Sequence, residues 1–111
     1  MSTAFLSAHQ VTMSDRAAGM LLDNLKKVMR IKTDAFDAEL NDLFSAAQAD
    51  LRLAGVSAEK AGDVDDPLIR RAIFTYIKAH FGWDNPDHER LLNAYDSLKR
   101  HLTLSQEYTE G

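Results

Sequence analysis

Apolar residues in this chain recur at helical rather than strand spacing over most of its length. Ala18, Leu21, Leu22, Leu25, Val28 and Met29 trace one face of a first helix that opens behind Ser14, a candidate N-cap, with Gly19 weakening its early turns. Residues 30–34 (RIKTD) break the pattern, and Thr33 or Asp34 can cap the next helix, with Asp37 in its first turn where the helix dipole favours an acid. The second run places Phe36, Leu40, Leu43, Phe44, Ala47 and Leu51 on one face and closes at Gly55, a residue suited to the left-handed position after a helix. Residues 56–66 (VSAEKAGDVDD) carry a glycine, several acids and few large apolar groups. They read as the longest internal loop, flexible, with room for one helical turn.

Asp66 then supplies an N-cap and Pro67 the favoured first helical position. Leu68, Ile69, Ala72, Ile73, Tyr76, Ile77, His80 and Phe81 form an apolar face wide enough to mark the central, most buried helix. Gly82 stops it, and Asn85-Pro86 repeats the cap-plus-proline device before a last helix with Leu91, Leu92, Tyr95, Leu98 and Leu102 on its apolar face. These two helices should run antiparallel. Asp87 and Glu89 fall in the last helix's first turn and Lys99, Arg100 and His101 in its final one, each sign matching the dipole end it occupies.

Residues 103–111 (TLSQEYTEG) form a polar tail whose large apolar groups are Leu104 and Tyr108. It reads either as a frayed terminus or as an extended segment in which Leu102, Leu104 and Tyr108 order on a partner's sheet edge. Its removal is expected to leave helicity and melting nearly intact. Residues 1–13 show no sustained period and read as an N-terminal arm. The predicted fold is all-α: a small antiparallel helical bundle of about four helices over residues 14–102, with a flexible loop, an arm before it and a C-terminal tail after it. No strand pattern competes, and there is no internal repeat.

Composition narrows this picture without supplying a function. A chain of 111 residues has material for one hydrophobic core. A net charge of -4 favours solubility and lacks the basic face of a general nucleic-acid binder. The absence of cysteine excludes disulfides, thiolate zinc sites and cysteine nucleophiles, a pattern compatible with a reducing cytoplasm. No apolar run approaches the roughly 20 residues that span a bilayer, and the first residues lack the features of a signal peptide, so the expectation is cytosolic synthesis and no membrane.

Motifs that could carry chemistry have plainer explanations. His88 and His101 share a helix but fall on nearly opposite faces and cannot share a metal. His80 can approach His88 across the turn with Glu89 nearby, yet a satisfied histidine beside Trp83 is the commoner arrangement, and no standard ligand spacing is present. Ser57-Ala58-Glu59-Lys60 matches the S-x-x-K string of serine hydrolases, but it lies in a loop without the accompanying motifs. Asp63, Asp65 and Asp66 lack the ligand order of a calcium loop and read as a solvated acidic stretch. No glycine-rich phosphate cradle exists. Catalytic, cofactor-binding and metal residues are therefore expected to be none, and an enzyme reading has no site to rest on. The basic cluster Lys26, Lys27, Arg30 and Lys32 could touch phosphates, but cations at a helix C-terminus are also stabilised by its dipole. A helix-turn-helix reading of the last two helices fails on the GWDNP turn and on Asp87 and Glu89, which would repel DNA.

The order of these features is more specific than any one of them. Met29-Arg30-Ile31 precedes an Asp-containing cap, AAQADLRLAG runs from Ala46 to Gly55, and Asp66-Pro67-Leu68-Ile69 is followed by Arg71-Ala72. Then come Lys78-Ala79-His80-Phe81-Gly82, Asp84-Asn85-Pro86, Arg90, and Ser97-Leu98-Lys99 leading to Leu102-Thr103-Leu104-Ser105. From about Met20 to Tyr108 the chain resembles the head-tail connector (adaptor, or head-completion) family of tailed bacteriophages and prophages, to which residues 1–13 are an addition. The resemblance implies a structural virion protein, not an enzyme. It implies a homo-oligomeric ring matched to the portal protein's symmetry, extending the DNA channel and docking a head-tail stopper or tail protein, with DNA passing through without sequence-specific binding. It implies location at the head-tail interface of the virion, after assembly in the host cytoplasm. The segments expected to meet neighbours are Leu104, Ser105, Gln106, Glu107 and Tyr108 on the portal side and the loop residues Glu59, Lys60, Asp63 and Asp65 on the downstream side. The alternative is a small helical DNA-binding or regulatory protein of a prophage.

Overall fold

The computed structural model describes residues 15–82 and 85–110; the expectations for the arm 1–13, the Ser14 cap and Trp83 fall outside them. Among the described residues the chain is all-α, without a strand. Its helices are α1 (Asp15–Met29), α2 (Asp37–Ala54), α3 (Ala58–Ala61), α4 (Pro67–His80), α5 (His88–Thr103) and α6 (Gln106–Thr109). Four of them are long. The chain divides into two units, Met1–Lys32 and Thr33–Gly111.

The first unit contains α1, on which Leu21 and Leu25 are buried while Met20 and Val28 are exposed. Its last turn is closed by paired backbone hydrogen bonds, from Arg30 N–H to the Lys27 carbonyl at 3.2 Å and from Ile31 N–H to the Lys26 carbonyl at 2.8 Å. This is the Schellman arrangement, which needs a left-handed residue just past the helix. Here that residue is Arg30, at φ 61°, although an L side chain costs about 1 kcal/mol in this conformation. The closing of α2 repeats the device with the residue it favours. Gly55, at φ 122°, donates to the Arg52 carbonyl at 3.0 Å, and Val56 to that of Leu51 at 3.0 Å.

In the second unit α4 packs against both α2 and α5. The wide apolar face read from the sequence explains this central place: Ile69, Ala72, Ile73, Ile77 and Ala79 of α4 are buried. They are joined by Leu40, Ala47 and Leu51 of α2 and by Tyr95 and Leu102 of α5. Ring and side-chain contacts fix the directions. Phe36, ahead of α2, meets Phe81, just past α4, edge to face at 5.4 Å, so α2 and α4 are antiparallel. Asp50 of α2 bonds Tyr95 and Lys99 of α5, and Gly55 lies beside Thr103, so α2 and α5 are parallel.

Two expected caps are placed differently. α2 starts at Asp37 with Phe36 in the N-cap position. Thr33 Oγ1 instead accepts from the Ala35 N–H at 3.1 Å, and the Asp34 carbonyl accepts from the Asp37 N–H at 3.2 Å. α5 starts at His88 behind Asp87, not at Asn85-Pro86. The reason is that Pro86 sits in a turn closed by the His88 N–H on the Asn85 carbonyl at 3.1 Å, the position where proline's fixed φ serves a type I turn. Asn85 then stitches the hairpin: its Oδ1 accepts from the Asp87 N–H at 3.0 Å and its Nδ2 donates to the Lys78 carbonyl at 2.7 Å.

Replacing Arg30 by glycine should stabilise the end of α1 by about 1 kcal/mol, because glycine takes the left-handed position without strain, whereas Arg30→Val should destabilise it. Thermal unfolding of the two variants against the parent checks the order. A neutral or destabilising Arg30→Gly would mean that the Arg30 side chain contributes more than its backbone strain costs.

Candidate docking surface

The helix directions decide where the candidate residues go. Because α2 and α5 run one way and α4 the other, the C-terminal ends of α2 and α5 and the N-terminal end of α4 meet at one end of the second unit. The 56–66 loop and α6 belong to that same end. The sequence-based expectation puts the loop and the C-terminal segment on opposite sides; the structure brings them together.

Within the loop, Ser57 caps the single turn of α3, its Oγ accepting from the Lys60 N–H at 3.1 Å. That bond accounts for the S-x-x-K string as a helix cap. Val56, Ala61 and Val64 are buried. Gln48 Nε2 donates to the Ala61 carbonyl at 3.0 Å, and Arg70 Nε to the Val64 carbonyl at 3.0 Å.

The segment beyond Thr103 departs from the expected extended, polar run. It turns at Leu104 and Ser105 and forms the one-turn helix α6, whose Tyr108 is 8% exposed. The Tyr108 hydroxyl donates to the Asp66 carboxylate, 2.9 Å from Oδ2 and 3.2 Å from Oδ1. Its carbonyl accepts the Ser57 N–H at 2.9 Å. Lys60 Nζ lies 5.2 Å from the Tyr108 ring centroid and 3.7 Å from Glu107 Oε2. The physical reason for this fold-back is the burial of a large aromatic ring whose polar tip finds a charged acceptor. Asp66 thereby serves two elements, since Oδ1 also accepts from the Leu68 and Ile69 amides at 2.9 and 3.3 Å.

Of the candidate residues, Leu104, Gln106, Glu107, Glu59, Asp63 and Asp65 face solvent, Ser105 and Lys60 are half-buried, and Tyr108 points inward as the anchor. Asp65 lies 3.7 Å from Arg70 Nη2, with the carboxylate almost fully in solvent and the arginine partly so, a contact of small energetic weight. Leu53 and Leu104, at the ends of the neighbouring α2 and α5, are 88% and 79% exposed, the most exposed large apolar side chains among the described residues.

A second polar cluster joins the three long helices of this unit. Asp50 accepts from the Tyr95 hydroxyl at 2.6 Å and from Lys99 Nζ at 3.0 Å. Tyr76 stacks edge to face on Tyr95 at 5.2 Å and lies 4.2 Å from the His80 ring. Burial alone would raise the Asp50 carboxyl, but the hydrogen bonds from Tyr95 and Lys99 and the Lys99 charge outweigh it and hold the group below the usual carboxylate range. Burial and the bond to Asp50 push the Tyr95 phenol well above its ordinary range. His80 does approach His88, with ring centroids 5.9 Å apart. His88 Nδ1, however, lies 2.6 Å from the Ala79 carbonyl, which makes it a donor there and binds it to the hairpin. Burial first, and then the neighbouring His88, lower the His80 pKa. No group of three or more His, Cys, Asp or Glu among the described residues is arranged to hold a metal ion. None of their helices is long and apolar enough to cross a membrane.

Asp66 and Tyr108 also set a pH dependence. Burial would raise Asp66, but the Tyr108 hydroxyl and the Ile69 and Leu68 amides outweigh it, so its carboxyl is lowered in the fold. A depressed folded pKa stabilises above the unfolded value and is lost as pH falls through the folded one. Tyr108 is the opposite case: burial and the Asp66 bond and charge push it up to about 12, so its contribution is fully present below the ordinary value of about 10 and is lost as pH rises through about 12. Tyr108→Phe should cost about 1–2 kcal/mol at neutral pH and should flatten both limbs. Denaturant unfolding across pH, with tyrosinate absorbance on the alkaline side, reads both effects. Identical pH profiles for parent and variant would contradict the Asp66–Tyr108 bond.

A family model described as Phage connector protein matches residues 21–109. No curated protein and no solved structure matches the chain significantly. The match begins on α1, leaves out residues 1–20, and runs through the last residue of α6, so both the loop and the Tyr108 turn lie inside the family's own domain. A match over this much of the chain settles its kinship: the chain belongs to the phage connector protein family.

Proposed function

We propose that this connector is a ring-forming adaptor of the virion's head-tail interface, assembled in the host cytoplasm: copies join beneath the portal protein, extend the DNA channel and dock the stopper or tail. The family match over residues 21–109 is the observation that carries the reading, since it makes the chain a structural component of a phage. The physical character of the surface supports it. Head-to-tail contacts that close a ring require two different patches on each copy, and the end built from the 56–66 loop and α6 provides one patch with charged and apolar parts. A net charge of -4 suits a channel wall past which DNA slides without being gripped.

Leu104, Ser105, Gln106 and Glu107, together with Glu59, Lys60, Asp63 and Asp65, then act as one docking surface rather than two opposed ones. Tyr108 contributes by holding the segment in place. Purified protein is expected to stay monomeric or weakly associated alone and to form rings on its cognate portal. Leu104→Asp should weaken that binding roughly tenfold or more, as expected for a charge placed at a desolvated contact, while leaving thermal unfolding unchanged because Leu104 is exposed. Sedimentation and electron microscopy of the mixtures provide the measurement. Absence of any complex with the portal would overturn the reading, and undiminished binding of the variant would remove Leu104 from the interface.

A further inference from the structure

The groove that receives Tyr108 is built entirely by residues that precede the segment filling it. Ser57 offers the backbone N–H, Asp66 the carboxylate and Lys60 the cation over the ring. The segment reaches it through a short bend, with Leu104 ending α5 and Ser105 in extended conformation at φ -96°, ψ 126°. Rotation about those residues would lift α6 from its own groove while leaving α5 intact. We infer that the C-terminal segment, residues 105–110, is exchanged between copies, so that the Tyr108 of one connector fills the groove of the next.

Three observations point to a second copy as the occupant. The groove is fitted to this segment, and its contacts with Tyr108 and Glu107 are available unchanged from another copy, so that exchange gives up only the Ser105 N–H bond to the Leu102 carbonyl across the bend, which makes exchange of an identical element an inexpensive route to association. The charges are complementary, with Glu107 on the segment and Lys60 beside the groove 3.7 Å apart. And Leu104, at the bend itself, is 79% exposed. Folding back within one chain leaves this leucine in water, whereas a segment crossing to a neighbour carries Leu104 into the junction. The exposed Leu53 lies at the same end. Within one chain the segment is held by an effective concentration on the order of millimolar or above. The closed monomer therefore prevails in dilute solution, and exchange takes over where copies are crowded side by side. The inference deepens the ring reading, on which its place in the particle rests, but the exchange itself is tested without the portal.

The chain contains no cysteine, so introduced thiols report alone. Full-length Lys60→Cys and Glu107→Cys variants are mixed at high concentration, warmed briefly below the unfolding transition, and oxidised; disulfide-linked peptides are then identified by mass spectrometry. Exchange predicts the mixed 60–107 interchain disulfide in several-fold excess over the symmetric 60–60 and 107–107 products. A statistical mixture, or no interchain product, overturns it. The double variant, oxidised when dilute, should give the same bond within one chain; its failure to do so would overturn the groove geometry and the inference with it. Portal binding of the unsubstituted chain keeps the two readings apart, because Lys60 and Glu107 belong to the docking surface themselves. Rings on the portal without an interchain 60–107 bond would remove exchange alone, and an interchain bond without rings would remove the ring reading alone.

Discussion

The second unit depends on one carboxylate. Asp66 begins α4 by accepting from the Leu68 and Ile69 amides and accepts from the Tyr108 hydroxyl as well. The amides at a helix N-terminus have no partners within the helix, and a capping acid satisfies them while favouring the dipole. Here the same acid is the anchor point for a segment 42 residues away. The start of the central helix and α6 thus share one carboxylate, to which the Ser57 amide and Lys60 add their own hold on the segment, and the surface between them takes its shape from these bonds.

The remaining architecture follows from the central place of α4. Its wide apolar face needs cover on more than one side, and α2 and α5 provide it while running parallel to one another. Asp50, Tyr95 and Lys99 fix the register of that parallel pair through a half-buried ion pair with a phenol hydrogen bond. Among the described residues no buried side-chain nitrogen or oxygen lacks a partner, so the polar groups inside this unit specify the packing without an unpaired group to destabilise it. What this leaves to solvent at the loop end is a surface that includes acids, the half-buried Lys60, Arg52 and three exposed leucines, Leu53, Leu68 and Leu104. A structural connector needs a surface of this kind, where specific association rests on contacts with neighbours rather than on chemistry at a reactive centre.

The helices and most of the core were legible because they are local facts: period, glycine stops and the Asp66-Pro67 start can each be read within a few residues. The exceptions have physical causes. Asn85-Pro86 looks like a second cap-plus-proline start, but the proline is spent on a turn, and Asn85 bonds the preceding helix. Arg30 occupies a position that the sequence marks with glycine at Gly55, and no local signal announces it. The Tyr108 anchor was missed because residues 103–111 are polar by composition, and the acceptor that makes one tyrosine buried lies far upstream. Asp50 and Tyr95, 45 residues apart, were hidden for the same reason. Ser57 did carry a signal: its hydroxyl stands three residues ahead of Lys60 at the start of a turn, a spacing that a cap explains better than a catalytic motif. The family resemblance was legible as an order of weak features, but not the way its two candidate segments converge.

The C-terminal segment is, above all, part of the folded unit rather than an appendage to it. Removing residues 105–111 and measuring thermal unfolding tests this most directly, since Tyr108, its bond to Asp66 and its carbonyl's bond to Ser57 all leave together. The expected result is a loss of about 2 kcal/mol or more, which for a domain of this size lowers Tm by roughly 10 °C. A truncated chain that melts at the same temperature as the parent would contradict it.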